Sequence, residues 1–466
     1  MKAIFVEFLN LFNDQHGVYS LSAVLKKNGI HVDYVRTMHH EKSLARVLDH
    51  APDFVLYSSF TASIPKMIAF DKKLKHALPT VKSIIGGPGV TFDPLAVAGS
   101  TIDAICIGEG ETVLPEFLLN GFNPIYNIFL NGTDPSTQYA PLINPDDLPF
   151  PDRDVIYNTD SLLRDLPSKQ FFSGRGCPYR CTYCFNHKFN DMFKENGPIV
   201  RKKSVDYLLE EIQRVKSKYP LLNVHFNDDT FVINKKWLFE FCDKFPKAFD
   251  MTYSCNVRAN LINDEVAEAL VASRCLNVTW SIESGNDHQL QKILKRAMSK
   301  KQIINAAHCL HKHKLPFRVA NLIGLPGETF DDMKETIEIN IESQPALSLA
   351  NIFIPYPGLA LTKYCIDHGH FDPANKLPRN YFTKSPLNFT EKEHDLIYKT
   401  FCLMPILVKF PSLYYCKKCF RFLYLLPKIL LRLAYEFVYT TGFAKWYVIK
   451  TPLYLKFKMA LRYFHY

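Results

Sequence analysis

Short apolar runs alternate with helix-type patterns along residues 1–120. Two of the helix-type segments are residues 18–27, closed by Asn28-Gly29, and residues 63–77, closed before Pro79. This alternation predicts a parallel sheet with helices on its faces, which is an α/β fold. The five predicted strands are residues 3–8, 31–35, 53–57, 82–85 and 104–107.

Loops of small and polar residues follow the predicted strands. In a parallel α/β sheet, ligands bind beyond the carboxyl ends of the strands. Residues 1–125 are therefore predicted to form a compact Rossmann-like domain that binds a ligand at this edge. The loops are residues 13–17, Ser58-Ser59, Gly86-Gly87-Pro88-Gly89 and Gly108-Glu109-Gly110-Glu111.

The residues of these loops have a second interpretation. Gly86 and Gly87 allow positive φ and the close approach of a flat ligand, but a turn without a ligand uses glycine for the same reason. Ser58 and Ser59 can bond to a buried part of the ligand or cap the following helix. The glycines and serines by themselves do not decide between the two.

A second folding unit is predicted after a break. Residues 126–168 are rich in Pro, Asn and Asp, which predicts an extended linker. Strand and helix patterns then alternate again, which predicts a partial (β/α) barrel in a domain of residues 169–365. Residues 366–466 begin as a polar connection and continue as a basic, aromatic and mostly helical C-terminal region.

Composition narrows the class of protein. The chain has 466 residues, of which 47% are hydrophobic and 22% charged, so a mostly disordered protein is excluded. Twelve cysteines without regular spacing favour a reducing compartment over a disulfide framework. The first residues lack the pattern of an export signal, and no apolar run approaches 18 residues, so we expect a cytoplasmic protein without a membrane-spanning helix.

Three cysteines in the spacing C-x3-C-x2-C directly follow a β-type run. A loop at the end of a strand can fold three thiolates around one iron–sulfur cluster, and three protein ligands leave one iron open for chemistry. The alternative is a structural zinc site with His187 as the fourth ligand. The segment is Gly174-Arg175-Gly176-Cys177-Pro178-Tyr179-Arg180-Cys181-Thr182-Tyr183-Cys184.

This spacing, with an aromatic residue before the last cysteine, resembles the radical S-adenosylmethionine (radical SAM) superfamily. The resemblance extends over residues 170–360, where further segments are similar to those with which that family ends its barrel strands. They are Phe226-Asn227-Asp228-Asp229-Thr230-Phe231, Cys255-Asn256-Val257-Arg258, Ser281-Ile282-Glu283-Ser284-Gly285, Asn321-Leu322-Ile323-Gly324-Leu325-Pro326-Gly327-Glu328-Thr329 and Ile354-Pro355-Tyr356-Pro357-Gly358.

The resemblance implies cofactors and residues that hold them. Cys177, Cys181 and Cys184 would bind a [4Fe-4S] cluster, and SAM at its open iron would be cleaved to a 5′-deoxyadenosyl radical. The candidates for binding SAM are Glu283, Ser284, Arg258 and Asp228. For Arg258 the alternative is a structural ion pair with Asp228 or Asp229.

The N-terminal domain resembles the cobalamin-binding domain that precedes many radical SAM proteins, including methyltransferases. The similarity implies cobalamin as the ligand near Ser58, Gly86, Gly87, Gly108 and Glu109, and it includes the segment Gly29-Ile30-His31-Val32. The D-x-H-x-x-G motif is not intact, because Tyr19 takes the last glycine position. His16 is therefore interpreted as an ordinary loop histidine rather than a cobalt ligand.

The tail carries the excess positive charge. From Phe401 onward the chain has eleven Lys and Arg against Glu436 alone, with 18 aromatic residues between them. Residues 419–437, with Arg421, Lys428 and Arg432 on one side and apolar residues on the other, are predicted to lie on an anionic membrane. A membrane is favoured over nucleic acid because Leu, Ile and Val are as frequent as the cations, and nucleic-acid-binding segments are usually more polar. The other alternative is a helical subdomain packed on the barrel.

The remaining cysteines are expected to have no role in chemistry. Cys416 and Cys419 form a C-x-x-C pair, interpreted as two plain thiols rather than ligands of a metal or an extra cluster, and the other scattered cysteines are expected to be buried and inert.

Together the features predict a cytoplasmic enzyme, peripheral to the inner face of the membrane. It would transfer a methyl group to an unactivated carbon of a hydrophobic or natural-product substrate, such as a lipid, isoprenoid or tetrapyrrole-like molecule, with flavodoxin or ferredoxin as electron donor.

Two alternatives remain at this point. The same domains fit a radical SAM enzyme that forms a ring or a carbon–carbon bond without methyl transfer. They also fit a cobalamin or redox sensor without catalytic activity.

Overall fold

A computed structural model gives the structure of the protein. It describes residues 1–8, 14–36, 40–135, 138–375, 377–378, 382, 384–446 and 451–464. Most of the predicted loop 13–17 falls within these ranges, and residue 13 lies outside them.

The chain forms two compact units. Unit 1 consists of residues 1–176, 189–221 and 450–466, and unit 2 consists of residues 177–188 and 222–449. Gly174 and Gly176, which precede the cysteines, belong to unit 1, whereas the three cysteines belong to unit 2.

Unit 1 is built around a parallel sheet in the order β2-β1-β3-β4-β5, with β6 added antiparallel to β5. All five predicted strands are confirmed, and the sixth was not predicted. The strands are β1 (Lys2–Glu7), β2 (His31–Arg36), β3 (Phe54–Ser58), β4 (Lys82–Gly86), β5 (Ala104–Cys106) and β6 (Ile128–Leu130). The helices among them are α1 (His16–Lys27), α2 (His40–His50), α3 (Ile64–Ala77), α4 (Pro88–Phe92) and α5 (Val113–Leu119).

Part of the predicted linker is packed into the core of unit 1. Ile156, Tyr157 and Leu163 are buried in the same cluster as Phe5 of β1 and Leu25 of α1. Apolar residues are interspersed with the prolines and aspartates, and their burial ties this segment to the sheet. The later elements of this unit are α6 (Asp154–Tyr157), α7 (Ser161–Asp165), β7 (Ser168–Phe171), β8 (Gly174–Arg175), β9 (Arg201–Lys202) and α9 (Val205–Lys218); α8 (Phe185–Phe193) runs across the boundary of the units.

Unit 2 contains five parallel strands in the order β14-β13-β12-β11-β10. Helices connect them, as the predicted partial (β/α) barrel requires. The elements are β10 (Asn223–Phe226), α10 (Lys235–Ala248), β11 (Thr252–Asn256), α11 (Asp264–Ala272), β12 (Cys275–Glu283), α12 (Lys300–Lys312), β13 (Phe317–Ile323), α13 (Phe330–Ser343), β14 (Leu347–Ile352) and α14 (Ala360–Asp367).

Side-chain caps fix where the helices of unit 2 begin. Ser299 accepts the amide of Gln302 at the start of α12, and Thr329 accepts the amide of Asp332 at the start of α13. In both turns the side chain of the third residue bonds back to the amide of the capping residue. This reciprocal pattern satisfies two amides that the helix leaves open, so the strand-to-helix turns are defined locally.

The basic tail is helical, and three of its helices place side chains in the cores of the units. Phe401 and Leu407 of α15, together with Leu431 and Tyr435 of α18, are buried in one cluster with Ile352 of β14. In unit 1, α19 places Leu455 in the core. The tail helices are α15 (Glu391–Lys409), α16 (Pro411–Tyr415), α17 (Lys417–Leu425), α18 (Lys428–Trp446) and α19 (Leu453–Phe464).

Two of the three cations predicted to contact a membrane form ion pairs within the tail. One pairs with a residue of α15 and the other with a residue of α18. Lys428 pairs with Asp395 at 3.1 Å, and Arg432 pairs with Glu436 and lies 5.2 Å from the ring centre of Tyr435. The expected polar face of residues 419–437 is thus used for internal ion pairs. Within the described ranges, none of the helices is long and apolar enough to cross a bilayer.

Candidate functional site

The hydrogen bonds of Thr182 fix the centre of the cysteine loop, residues 177–184. Its amide donates to Leu294 O at 3.0 Å and its hydroxyl to Ile293 O at 2.6 Å, both in the segment between β12 and α12. Its carbonyl accepts the amide of Leu361 on α14 at 3.0 Å. Because both peptide groups and the side chain are engaged, the loop has a defined place within unit 2.

The three thiols of the loop lie in one neighbourhood. Cys181 is buried, and Cys177 and Cys184 are half-buried. Burial raises the pKa of Cys184 to about 12, and the charges of Asp229, Cys181 and Cys177 act in the same direction. In the described part of the chain, no three His, Cys, Asp or Glu side chains are close enough together to hold a single metal ion. An iron–sulfur cluster makes a different demand, since each cysteine binds its own iron, and three soft thiolates are a fitting donor set.

His187 supports the backbone of the cysteine loop. Its Nδ1 lies 2.7 Å from the carbonyl oxygen of Cys184 and 3.1 Å from that of Cys181, so this nitrogen is a donor to the loop. The ring is buried. The structure therefore gives His187 a positioning role, whereas only the zinc alternative made it a fourth metal ligand.

Arg258, at the end of β11, is directed at the same loop. Its Nη1 lies 3.8 Å from Cys181 Sγ, its Nε donates to Asn260 Oδ1 at 2.8 Å, and its Nη2 donates to the carbonyl of Arg296. The guanidinium also stacks 3.8 Å from the ring centre of Tyr179. A planar cation can satisfy all these contacts at once, and it places a donor and a positive charge beside the buried thiol.

Glu283 closes the site at the end of β12. Its Oε1 accepts the hydroxyl of Tyr183 at 2.9 Å and lies 3.5 Å from Arg296 Nη1. The residue has φ +73°, and the β12–β13 register shifts between Ser281 and Glu283. Positive φ is uncommon outside glycine, and such strain clusters at binding sites. Here it aims the carboxylate at the residue beside the third cysteine.

Ser284 and Gly285 form the turn that follows. Ser284 is buried, and its hydroxyl accepts the amide of Asn286 at 3.1 Å. A Cβ on Gly285 would lie 2.2 Å from the carbonyl oxygen of Glu335, so only glycine allows α13 to approach this turn. The backbone at the predicted SAM-contacting segment is thereby fixed.

Asp228 joins the ends of two strands. It is buried, and its carbonyl accepts Asn256 Nδ2 at 3.2 Å. The predicted residues Asp228, Arg258, Glu283 and Ser284 thus all lie where β10, β11 and β12 end, in the same unit as the three cysteines.

Glu328 is a buried carboxyl group in the turn between β13 and α13. Its Oε2 accepts the amides of Gly324 at 2.6 Å and Leu325 at 3.1 Å, while its Oε1 has no hydrogen-bond partner. Burial raises the pKa of Glu328 to about 8, although the two amides oppose this effect. The folded protein therefore keeps a proton on Glu328 at neutral pH.

Because the folded state retains this proton, we expect the free energy of unfolding of unit 2 to fall as the pH rises. Between about pH 4.5 and 8 the folded state binds a proton that the unfolded state has lost, so Glu328 lowers the free energy of unfolding by about 1.4 kcal/mol per pH unit. Glu328→Gln should remove this slope. Urea unfolding across that range, followed by tryptophan fluorescence, measures it, with the exposed Glu342→Gln as control; equal slopes in both variants would contradict the prediction.

In unit 1, the predicted ligand edge is built by close backbone contacts. Ser59 donates from its amide and its hydroxyl to Gly86 O at 2.8 and 2.7 Å. Gly87 has φ +90°, and a Cβ there would lie 2.8 Å from both the nitrogen and the oxygen of Ser59. Ser58, Gly86 and Gly87 remain partly exposed. The hydrogen bonds of Ser59 are made within the edge itself, and Ser58, Gly86 and Gly87 keep surface that a ligand could contact.

Gly108 and Glu109 are partly exposed and contact other parts of unit 1. A Cβ on Gly108 would lie 2.3 Å from the ring of Phe193. The carboxylate of Glu109 accepts two hydrogen bonds from Arg201, at 2.8 and 2.7 Å, and lies 3.0 Å from Arg175. Burial alone would raise the pKa of Glu109, but these two guanidinium groups outweigh burial and lower it. The structure thus places both residues in packing and ion pairs.

His16 is enclosed at the start of α1. It packs edge to face on Phe172 and Tyr19, and its Nε2 is buried without a hydrogen-bond partner. Burial, together with Arg153, lowers the pKa of His16 to about 3, so the ring is neutral. Asp14 accepts the hydroxyls of Tyr19 and Tyr157 at 2.7 and 2.8 Å. An unpartnered neutral imidazole nitrogen at this edge fits a metal-bearing ligand as well as a packed loop histidine.

The sequence did not reveal several residues that build the unit 2 site. Arg296 lies in no recognisable motif, and only folding brings it to Tyr183 and Glu283. Thr182 and Tyr183 lie inside the cysteine motif, where the aromatic residue was noted without a role. Tyr179 is also within that motif and becomes informative through its stacking with Arg258.

The fold and the site together define a class of protein: a partial (β/α) barrel with a three-cysteine loop beside the strand ends, in a chain that also has a Rossmann-like domain. Residues 171–339 match the model of the radical SAM superfamily, and residues 11–118 match the model of the B12 binding domain. The chain therefore contains a radical SAM domain that is preceded by a B12-binding domain.

Curated relatives include both methyltransferases and cyclases. The chain is 28% identical to an uncharacterized methyltransferase of Pyrococcus horikoshii, over 77% of this chain and 80% of the relative. It is 24% identical to cytidylyl-2-hydroxyethylphosphonate methyltransferase of Streptomyces wedmorensis, over 73% and 71%. It is also 24% identical to anaerobic magnesium-protoporphyrin IX monomethyl ester cyclase of Cereibacter sphaeroides, over 70% and 54%. These relatives indicate an enzyme.

Solved structures of the same architecture agree with the fold. The radical SAM methyltransferase TsrM from Kitasatospora setae, with cobalamin and a [4Fe-4S] cluster bound, aligns with a TM-score of 0.64 at 14% identity, covering 80% of this chain and 79% of that one. OxsB, with aqua-cobalamin and S-adenosylmethionine bound, aligns with a TM-score of 0.68 at 14% identity, covering 93% and 72%. At these identities the similarity is one of fold.

Proposed function

We propose that this chain is a cytoplasmic, cobalamin-dependent radical SAM enzyme that methylates an unactivated carbon of a hydrophobic or natural-product substrate. The observation that carries the proposal is the three-thiol loop held at the carboxyl ends of β10, β11 and β12, in a chain whose first domain matches the B12 binding domain. Methyltransferases among the relatives support methyl transfer as the outcome.

The donor sets fit the proposed cofactors. Cys177, Cys181 and Cys184 would hold the [4Fe-4S] cluster, and the turn of Glu283 and Ser284 would hold SAM. Ser58, Gly86 and Gly87 would border cobalamin. When bound, the cluster and SAM supply a carbon-centred radical, and cobalamin supplies a carrier for a methyl group.

The residues of the chain position and shield these groups. Thr182 and His187 fix the loop backbone, and Arg258 supplies a hydrogen-bond donor next to Cys181. Tyr183, Glu283 and Arg296 form a buried polar cluster beside the third cysteine. In a buried setting such charge-assisted contacts are strong, and they keep the site rigid and dry. Flavodoxin or ferredoxin is the proposed source of electrons.

Transfer of an isotope-labelled methyl group tests the methyltransferase proposal. Protein reconstituted without oxygen is reduced with flavodoxin and incubated with SAM carrying a deuterated methyl group and an apolar extract of lipids and tetrapyrroles. We expect 5′-deoxyadenosine and a product that gains one deuterated methyl group. A product that loses hydrogen without gaining the label would favour cyclisation instead, the second candidate, which the cyclase relatives support.

We also infer that the tail docks on an anionic membrane through an apolar stripe. Ile429, Leu433 and Phe437 of α18 are 65%, 61% and 69% exposed at i, i+4 spacing. Phe422 of α17 is 61% exposed, and the exposed Lys417, Lys418 and Arg421 supply positive charge nearby. Each apolar side chain that leaves water contributes about 1.5 to 3 kcal/mol, and each cation near anionic lipid about 1 kcal/mol.

Vesicle cosedimentation tests this docking surface. We expect the full chain to bind vesicles that contain phosphatidylserine several-fold better than neutral ones, and Leu433→Asp to abolish binding. Leu222→Asp, at a site 53% exposed that belongs to neither α17 nor α18, is the matched control. Point substitutions are needed because α15 is part of the core. Equal sedimentation of both variants would contradict the role of the stripe.

A further inference from the structure

Two cysteines outside the iron–sulfur site lie together at the start of α17. Cys416 precedes the first residue of the helix, and its sulfur accepts the amide of Cys419 at 3.4 Å. Cys416 is exposed and Cys419 is half-buried, and both are free thiols. Residues three apart face one another across a helical turn. The pair is thus preorganised, with one sulfur accessible to solvent.

The surroundings favour a thiolate at Cys416. Its sulfur receives an amide hydrogen bond at the positive end of a helix, and the exposed side chains of Lys417 and Lys418 add positive charge. The hydrogen bond from the thiol of Cys419 is the largest of the effects that lower the pKa of Cys416.

Other cysteines of the chain show the opposite behaviour. Burial raises the pKa of Cys402 to about 11 and that of Cys365 to about 12. Reactive cysteines are those in exposed, electropositive surroundings, whereas cysteines buried in a core are inert. Cys416 therefore differs in chemistry from these core cysteines.

We propose that Cys416 and Cys419 form a redox-active dithiol that reduces anionic low-molecular-weight disulfides. The Cys416 thiolate attacks one sulfur of the disulfide, whose S–S bond breaks, and one thiolate leaves and takes up a proton. Cys419 then attacks the sulfur of Cys416 in the mixed disulfide, and the second thiolate leaves with the proton of Cys419. The dithiol loses two electrons and becomes the Cys416–Cys419 disulfide, while the substrate disulfide becomes two thiols.

The order of attack gives each cysteine a different variant phenotype. Reduced full-length protein is incubated without oxygen with oxidised glutathione, and the 416–419 peptide is followed by mass spectrometry. We expect wild type to form the internal disulfide and release two glutathione molecules. Cys419→Ser should stop as a stable mixed disulfide on Cys416. Cys416→Ser should react at Cys419 at least ten-fold more slowly, and Cys309→Ser, at a half-buried cysteine of α12, should behave as wild type.

Charge recognition is tested with the same peptide. Replacing Lys417 and Lys418 together by Glu should slow the reaction with oxidised glutathione several-fold and leave the reaction with uncharged hydroxyethyl disulfide nearly unchanged. Equal rates for the two single cysteine variants would overturn the proposal. It would also be overturned by zinc that wild type retains and both cysteine variants lose. These readouts do not depend on iron, cobalamin or SAM, so they are independent of the proposed catalytic function.

Discussion

Cys181→Ala is expected to remove nearly all iron from the reconstituted protein and to abolish cleavage of SAM. Cys181 is the buried member of the three thiols and the one that Arg258 approaches at 3.8 Å. With two ligands left, a [4Fe-4S] cluster has two uncoordinated irons and is lost. Iron and sulfide analysis after anaerobic reconstitution measures the effect, and wild type should hold about four irons per chain.

A second buried cysteine supplies the control for this experiment. Cys365→Ala removes a fully buried thiol from α14 of the same unit. The small cavity that it leaves should lower the free energy of unfolding by about 1 to 2 kcal/mol, and the iron content should not change. The cobalamin content should be the same in both variants. An iron content in Cys181→Ala equal to that of wild type would contradict the assignment of the cluster ligands.

Gly87→Ala is expected to reduce cobalamin binding several-fold and to destabilise unit 1, while iron content is retained. The residue has φ +90°, and a methyl group there would press on the backbone of Ser59, whose amide and carbonyl are both hydrogen-bonded. Backbone cannot move aside as a flexible side chain can. The ends of β3 and β4 would have to separate, and the proposed ligand edge would change shape.

Gly132→Ala separates this packing effect from backbone strain. Gly132 has φ +91°, nearly the same as Gly87, but no atom lies within 4 Å of its added Cβ. It should show only the cost of the left-handed conformation, about 1 to 2 kcal/mol, and Gly87→Ala should cost about 2 kcal/mol more. Thermal unfolding and the absorbance of bound cobalamin measure the two effects. Equal loss of cobalamin in both variants would show that the close approach to Ser59 is not what shapes the edge.

Regular patterns in the sequence predicted the parallel strands of unit 1, but neither β6 nor the packing of the predicted linker into the core. The five parallel strands of unit 1 follow from short apolar runs between helix-type segments, because a strand buried on both faces must be apolar. The family segments fall at the carboxyl ends of β10 to β14, where the resemblance implied them. No local pattern recorded that Lys428, on the predicted polar face of residues 419–437, pairs with Asp395 of α15.

The sequence by itself determined what is local: the order of strands and helices, the spacing of the three cysteines and the basic charge of the tail. Only the tertiary structure decided what depends on distant partners. It turned Glu109 toward Arg175 and Arg201, Arg258 toward Cys181, and Arg296 toward Glu283. The physical reason is that a buried charge requires a partner, and the nearest partner in space is set by packing between elements that no local pattern records.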